Sequence, residues 1–323
     1  MKAWKLVLVL DVAVVAAVAI VYATLHGPSP RTPRTGVVLV DASLGQGART
    51  EGTGFLLTSD GELITSNHVI NGATAVHVIV PQTRRRYVAR ILGYDVGRDT
   101  AILQLQDAHG LRTAVTASAA PRWGQPVLAV GGSTGTIATA VGHVTGLNAS
   151  VTATDELGRS RRLSGMIEFD AAIEPGDSGG PLLDARGKVL GVDTAGVTRP
   201  DFFTVKNVHD SYATPIATAL SVAHDVERGR QSVRVHIGRT AYLGVLVGPG
   251  GAVKRVAAAS PAARAGVPVG AQIGAVDGHA VRSSEQLTRA LLARHPGDRV
   301  AIDWTDGTGE HRATVVLGVG PAL

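Results

Sequence analysis

The sequence contains no cysteine among its 323 residues. Disulfide bridges, zinc–thiolate sites and cysteine nucleophiles are therefore excluded, and cysteine usage says nothing about the compartment. Aromatic residues are scarce, at 4% of the chain, and only 18% of the residues are charged. The motif HExxH is absent and the histidines are not clustered in the sequence, so no catalytic metal and no other cofactor is predicted.

Basic residues are not arranged as in a nucleic-acid-binding protein. The formal net charge is +5, but the basic clusters are short, widely separated and not interleaved with aromatic residues: Arg84 to Arg86, and Arg159 with Arg161 and Arg162. Such clusters are typical of solvated loops, so no nucleic-acid partner is predicted.

The N-terminal segment, residues 1–25, has the composition of a membrane-spanning helix. Lys2 and Lys5 precede an apolar run over residues 6–25 whose only charge is Asp11. Twenty helical residues span about 30 Å, the thickness of one hydrocarbon core. We therefore predict a single-pass anchor with the rest of the chain extracytoplasmic. The alternative is a signal-like segment over residues 12–25, cleaved to release a secreted protein.

The remainder of the chain divides by pattern into two domains with two linkers. Residues 26–36 are rich in proline and predict an extended linker. Residues 37–227 alternate short apolar runs with Gly, Asp and Asn, which predicts an antiparallel barrel or sandwich that ends in a helix over residues 213–227. Residues 228–239 are charged and predict a second linker. Residues 240–320 predict a smaller α+β domain with helices over residues 261–265 and 283–293.

The stretch EPGDSGGP, residues 174–181, surrounds Ser178 with glycine and proline. A serine hydroxyl is a poor nucleophile unless a general base, an acid that orients the base and donors for the oxyanion are near it. Glycines allow backbone N–H groups to converge on one point. The stretch therefore predicts a nucleophile, and the alternative is an ordinary turn serine.

Two upstream motifs supply the missing partners. His68 lies in TSNHVI, where a strand ends in small polar residues, and Asp99 lies in GRDTAILQL, directly before an alternating apolar strand. A carboxylate buried beside an imidazole is what an orienting acid requires. Asp95, four residues before Asp99, is the alternative, although an Asp in a glycine-containing turn usually binds its own backbone.

The order of His68, Asp99 and Ser178, with their motifs, resembles a trypsin-like serine protease of the HtrA type. GTGF at residues 52–55 and KVLGV at residues 188–192 are similar to further strands of that family. YLGV at residues 242–245, SPAARAG at residues 260–266 and IGAVDG at residues 273–278 resemble a PDZ domain. Asp177 departs from the family pattern, which usually has Asn there.

The resemblance implies a mainly β fold: a trypsin-like double β-barrel followed by an α+β PDZ domain, after an N-terminal transmembrane helix. It implies that Ser178 attacks the scissile carbonyl, His68 transfers the proton and Asp99 orients His68. The N–H groups of Gly176 and Ser178 would form the oxyanion hole. Ala172 falls at the floor of the specificity pocket, which predicts cleavage after small or medium aliphatic residues.

The resemblance also implies partners for the C-terminal domain. A PDZ domain binds peptide C-termini, and its carboxylate-binding loop would contain Tyr242, Leu243, Gly244 and Val245; the alternative is a plain strand start. Substrates would be unfolded or damaged proteins, and the oligomer would be a homotrimer. Two rival functions remain open: a catalytically latent chaperone or PDZ binding scaffold, and a signalling protease with one dedicated substrate.

Overall fold

The computed structural model describes residues 34–45, 48–133, 135–154, 160–201, 206–232 and 234–320. The predicted anchor and its signal-like alternative, residues 1–25, lie outside the described residues, as does most of the first predicted linker. Within the described ranges, no helix is both long enough and apolar enough to span a bilayer.

The first barrel has six strands. Strand β1 pairs with β2 and β4, and the ring closes because β5 pairs with both β4 and β6. In β4 the side chains of Val76, Val78 and Val80 are buried while their neighbours are more exposed, as the period of two in a half-buried strand requires. The strands are Val37–Gly45 (β1), Ala48–Leu56 (β2), Glu62–Thr65 (β3), Ala75–Val80 (β4), Arg85–Asp95 (β5) and Thr100–Leu105 (β6).

The second barrel closes in the same way, in the order β11-β8-β9-β10-β13-β12 with β11 paired to β12. A short strand, β7, pairs in parallel with β12 at its edge. The strands are Val115–Thr116 (β7), Pro126–Gly131 (β8), Ala138–Thr154 (β9), Ser160–Phe169 (β10), Pro181–Asp184 (β11), Lys188–Asp201 (β12) and Lys206–Pro215 (β13). This part of the chain is therefore a double β-barrel, as the resemblance implies, and not a sandwich.

Two helices belong to this part of the chain. The short helix α1, Asn67–Ile70, follows β3, and α2, Ile216–Glu227, follows β13. Helix α2 begins three residues later than the sequence pattern predicts, because residues 213–215 complete β13 and Ala213 pairs with Asp193. Its buried face packs into one core together with Phe55 of the first barrel and Leu128 of the second. The helix therefore helps to join the two barrels.

The segment predicted as the second linker contains a strand. Val235–Ile237 (β14) pairs antiparallel with residues 93–95 of β5 and extends the first barrel at its edge. Only three residues pair, and charged residues precede them, so the sequence pattern does not reveal the strand.

The C-terminal domain is α+β. Four strands form one sheet in the order β19-β18-β20-β21, and helices α3 and α4 begin with Ser260 and Ser283 as hydrogen-bonding N-caps. Its core surrounds the buried Trp304. The elements are Thr240–Tyr242 (β15), Val245–Val247 (β16), Val253–Val256 (β17), Pro261–Arg264 (α3), Gln272–Val276 (β18), His279–Ala280 (β19), Ser284–Leu292 (α4), Arg299–Asp306 (β20), Gly309–Val316 (β21) and Gly318–Gly320 (β22).

Side chains connect the C-terminal domain to the first barrel. The hydroxyl groups of Tyr94 on β5 and Thr240 on β15 are 2.8 Å apart. The ring of His236, on β14, is buried beside Tyr94, and its Nδ1 lies 3.0 Å from the carbonyl oxygen of Leu292 at the end of α4. The two domains therefore meet through polar contacts that are sheltered from water.

Candidate active site

His68 and Asp99 form a hydrogen-bonded pair. His68 lies in α1, directly after β3, and Asp99 directly precedes β6, so the pairing of β3 with β6 brings them together. Nδ1 of His68 is 2.7 Å from Oδ2 of Asp99, and the His68 backbone N–H donates to Oδ1 at 2.9 Å. The Asp99 side chain is buried whereas that of His68 is 17% exposed. This geometry fixes the ring and leaves Nε2 as the atom able to accept a proton.

Asp95, the alternative partner, is occupied in its own turn. Its Oδ1 accepts from the backbone N–H of Arg98 at 3.0 Å. Burial raises the pKa of Asp95, and the hydrogen bond from Arg98 and its guanidinium oppose that rise. The structure therefore places Asp99, and not Asp95, against His68.

The loop that carries Ser178 follows β10 and leads into β11. Gly176 and Gly179 adopt φ of 103° and 87°, which disfavour residues with a Cβ atom. A Cβ on Gly179 would also overlap the carbonyl oxygen of Thr53 and the hydroxyl of Thr65. The glycines on either side of Ser178 are thus required by backbone conformation and, at Gly179, by close packing.

Strands of both barrels hold this loop. From β2, the Thr53 backbone N–H donates to the Ser178 carbonyl at 2.8 Å, and its hydroxyl donates to the Gly176 carbonyl at 2.7 Å. From β12, Asp193 accepts from the Gly179 N–H at 2.7 Å. Ser178 is therefore presented at the junction between the barrels.

Strand β12 also links the Ser178 loop to the turn that carries His68. The Asp193 carbonyl also accepts from the hydroxyl of Ser66 at 3.0 Å, two residues before His68. The Ser178 hydroxyl itself lies 3.5 Å from the carbonyl of Thr194, a long contact. Between these two described side chains, Ser178 and His68, no hydrogen bond is formed. The three predicted catalytic residues thus converge, with the histidine–aspartate bond formed and the serine–histidine bond open.

Two backbone donors lie in the nucleophile loop, at Ser178 itself and two residues before it. In the part of the chain that the structure describes, the N–H groups of Gly176 and Ser178 have no acceptor. The loop between them is closed by Asp177, whose N–H donates to the Glu174 carbonyl at 3.0 Å and whose Oδ2 accepts from the Glu174 N–H at 2.9 Å. Two such donors, one of them the nucleophile's own N–H, are able to stabilise an oxyanion.

Ala172 lies on the segment between β10 and the nucleophile. Its side chain is half-buried, and the preceding residue, Ala171, is buried and accepts a hydrogen bond from the Ser211 hydroxyl at 2.7 Å. This contact with β13 fixes the position of the segment. The alanine itself introduces no charge there.

Sequence reasoning missed Asp193. Its side chain is completely buried, and neither carboxylate oxygen has a hydrogen-bond partner among the described residues. Burial, and to a lesser extent the charge of Asp177, raises the pKa of Asp193 well above its ordinary range. The available signal was an acidic residue at the end of the apolar run KVLGV, where a buried strand residue is expected.

The predicted carboxylate-binding loop of the C-terminal domain connects β15 to β16. Leu243 is buried in the core, and Gly244 has a φ of 88° and packs against Ser260. The carbonyls of Leu243 and Gly244 accept from Ala262 and Ala257 at 2.9 and 2.8 Å. Their own N–H groups have no acceptor within the described ranges, so this loop offers two donors to an anion. Tyr242 ends β15 and Val245 begins β16.

Comparison with known proteins agrees with this architecture. The profile of the trypsin-like peptidase domain matches residues 52–192, and that of the PDZ domain matches residues 252–305. Serine protease PepD of Mycobacterium tuberculosis is 32% identical over 308 residues, which cover 88% of this chain and 64% of that protein. A probable periplasmic serine endoprotease, DegP-like, of Marinomonas sp. is 32% identical over 293 residues, which cover 85% and 59%.

The crystal structure of the serine endoprotease from Yersinia pestis superposes with a TM-score of 0.50 at 25% identity, over 90% of this chain and 96% of that one. The chain spans about six tenths of the length of the two curated relatives. The chain joins a trypsin-like peptidase domain to a PDZ domain, which confirms its resemblance to serine proteases of the HtrA type.

Proposed function

We propose that this protein is an extracytoplasmic serine endopeptidase that cuts unfolded or damaged proteins through an acyl-enzyme intermediate. One observation carries the proposal. Asp99 holds His68 at 2.7 Å, while the His68 turn and the Ser178 loop both bind the carbonyl of Asp193. A base, its orienting acid and a nucleophile therefore share one rigid frame.

In this reaction the Ser178 hydroxyl attacks the scissile carbonyl and transfers its proton to Nε2 of His68. The Asp99 carboxylate stabilises the imidazolium that forms, and the N–H groups of Gly176 and Ser178 bind the oxyanion. His68 then protonates the leaving amine. Water attacks the acyl-enzyme, with His68 again as the base, and the Ser178 hydroxyl is restored.

The residue at the floor of the specificity pocket is proposed to be Ala172. A small uncharged side chain there leaves an apolar site without a counter-charge for Lys or Arg, so cleavage follows small or medium aliphatic residues. Strong cleavage after Arg with none after Val would refute this part of the proposal.

The C-terminal domain is proposed to capture peptide C-termini by strand addition. Among the described strands β16 pairs only with β17, so its other edge is open, and α4 packs beside it. A peptide added to that edge would end at the loop of Leu243 and Gly244, whose N–H groups are available to its carboxylate. Tyr242 and Val245 flank this loop.

The location and assembly of the protein also belong to the proposal. The apolar residues 6–25 suit a single-pass membrane anchor or a cleaved signal. The Marinomonas relative is named a periplasmic protease, which favours an extracytoplasmic location. A homotrimer is proposed from the family resemblance.

A second candidate function rests on the open serine–histidine contact. If the loop stays as it is, the protein binds unfolded chains or peptide C-termini without cutting them, as a latent chaperone or PDZ scaffold. A peptide ligand at the PDZ domain, or one dedicated substrate, would then be needed to close the contact.

The test uses the full chain, with Ser178→Ala as the variant and Ser118→Ala, at an exposed serine, as the matched control. We expect a fluorophosphonate probe to label the wild type and the control but not Ser178→Ala, and casein to be digested in the same pattern. Labelling that persists in Ser178→Ala would overturn the enzyme proposal. Labelling without casein turnover, with or without added peptides ending in Val, would favour the latent function.

A further inference from the structure

Asp193 is the charged residue of the active-site region that the reaction scheme above does not use. It lies on β12 with its side chain completely buried. Both carboxylate oxygens lack a hydrogen-bond partner in the described part of the chain. An ionised carboxylate in such a place loses its hydration without compensation, which is among the most costly arrangements in a protein interior.

The backbone of Asp193 nevertheless lies at the centre of the hydrogen bonds that position the nucleophile. Its carbonyl accepts from the N–H of Gly179 at 2.7 Å, and its N–H donates to the carbonyl of Gly180 at 2.8 Å. The same carbonyl accepts from the Ser66 hydroxyl at 3.0 Å. A displacement of β12 at this residue would therefore move both the Ser178 loop and the turn that carries His68.

One charged side chain acts on the Asp193 carboxyl. It is Asp177 in the nucleophile loop, and its negative charge adds to the effect of burial. The residue paired with Asp193 on β13 is Ala213, and the Ser66 hydroxyl binds the Asp193 backbone carbonyl and not its carboxyl. Among the other described charged residues on the surrounding elements, Asp99 is buried and bonded to His68. The rest are exposed or partly exposed: Glu174 in the loop, Asp184 on β11, Lys188 on β12, Asp210 on β13, His68 on α1, and His224, Asp225 and Glu227 on α2.

The two carboxyls differ in their surroundings. Burial raises the pKa of Asp177 as well, but this side chain is partly exposed, and its Oδ2 accepts from the Glu174 N–H at 2.9 Å, which opposes that rise. Asp193 has neither advantage. Of the two, Asp177 therefore carries the charge and Asp193 retains the proton.

We propose that Asp193 is a positioning residue, which holds the nucleophile loop in its working position as an uncharged carboxylic acid. When it loses its proton to water, a second negative charge arises beside Asp177 inside the protein. The strand then shifts to hydrate that charge, and its hydrogen bonds to the Ser178 loop are lost. The reactivity of Ser178 should therefore fall as the solution becomes more alkaline. This inference rests on the proposed function of Ser178.

The test measures the rate at which a fluorophosphonate labels Ser178 in the full chain across the pH range. For the wild type we expect the rate to fall about tenfold for each pH unit above the pKa of Asp193, as for a single ionisation. Asp193→Asn keeps the shape of the side chain without a charge, so its rate should not fall there. Glu310→Gln, at an exposed residue of β21, should behave as the wild type.

Asp177→Asn provides a second, independent variant. It removes the neighbouring charge that makes ionisation of Asp193 difficult, so the alkaline fall in labelling should begin at a lower pH than in the wild type. This shift has the opposite direction to the effect of Asp193→Asn. If either residue had a purely structural role, its substitution would change the labelling rate by the same factor at every pH. The pH at which the rate begins to fall would then be the same as in the wild type.

Several results would overturn the inference. The first is a wild-type labelling rate that does not fall at alkaline pH. The second is an Asp193→Asn labelling rate that still falls there. The third is an Asp193→Asn protein that is folded, as judged by near-ultraviolet circular dichroism, but is not labelled at any pH. If Asp193→Asn does not fold, the inference is still refuted when the pH profile of labelling in Asp177→Asn is unchanged from the wild type or moves to higher pH. A wild type that is never labelled refutes the proposed function itself, which separates the two failures.

Discussion

Glu62 gives the protease domain a pH-dependent stability that a single substitution should remove. It begins β3 and is only 8% exposed, and its Oε1 has no hydrogen-bond partner in the described residues. Burial, followed by the charge of Glu227 at the end of α2, raises the pKa of Glu62 from 4.5 to about 7. The folded state therefore binds a proton at Glu62 that the unfolded state releases.

This proton uptake determines the direction in which the stability changes with pH. A raised pKa in the folded state means that the stabilisation is complete below the unfolded pKa of 4.5 and is lost as the pH rises through about 7. The difference between the folded and the unfolded pKa of Glu62 corresponds to about 3 kcal/mol, since each unit is worth about 1.4 kcal/mol. Glu62→Gln has no proton to lose, so it should be more stable than the wild type at alkaline pH.

The assay is calorimetric unfolding of the full chain at about pH 4.5 and about pH 8. At the higher pH we expect the protease-domain midpoint of Glu62→Gln to exceed that of the wild type by roughly 6–12 °C, at about 2–4 °C per kcal/mol. At the lower pH the gain should nearly vanish. An equal difference at both pH values would refute the reasoning, and Glu310→Gln should show no such dependence.

Two further substitutions test the packing of the loop and of the domain junction. Gly179→Ala should abolish labelling of Ser178, because its Cβ overlaps the Thr53 carbonyl; Gly110→Ala, also at positive φ but in open space, is the control that should retain labelling. Thr240→Val removes the 2.8 Å bond to Tyr94 and should lower the free energy of unfolding by about 1 kcal/mol in urea titrations; no loss would show that the domains do not depend on this contact.

Short-range signals predicted most of the fold and the candidate site. Alternating apolar residues and turn residues predicted strands such as β4, and Ser283 with the apolar spacing behind it predicted α4. The motifs around His68, Asp99 and Ser178 predicted three residues that lie at one junction. Each motif could be read locally, because it consists of a strand end, an acid before a buried strand, or a glycine turn.

What the sequence could not predict depends on distant parts of the chain. Asp193 resembles any acidic residue at a strand end until β12 is placed against the Ser178 loop, where its backbone makes bonds to both sides of the site. The start of α2 depends on the pairing of Ala213 with Asp193 across the sheet. Strand β14 has only three residues, too few to show the alternation of apolar and polar residues that predicts a strand. Its conformation depends on its pairing with β5.

The pairing of β14 with β5 sets the reach of the PDZ domain. Only residues 238 and 239 lie between β14 and β15, and two extended residues span about 7 Å. If β14 left the barrel, residues 228–239 together would span about 40 Å. Together with the Tyr94–Thr240 contact, three residue pairs at a barrel edge therefore limit how far the PDZ domain, with the peptide that it is proposed to capture, can move from the first barrel.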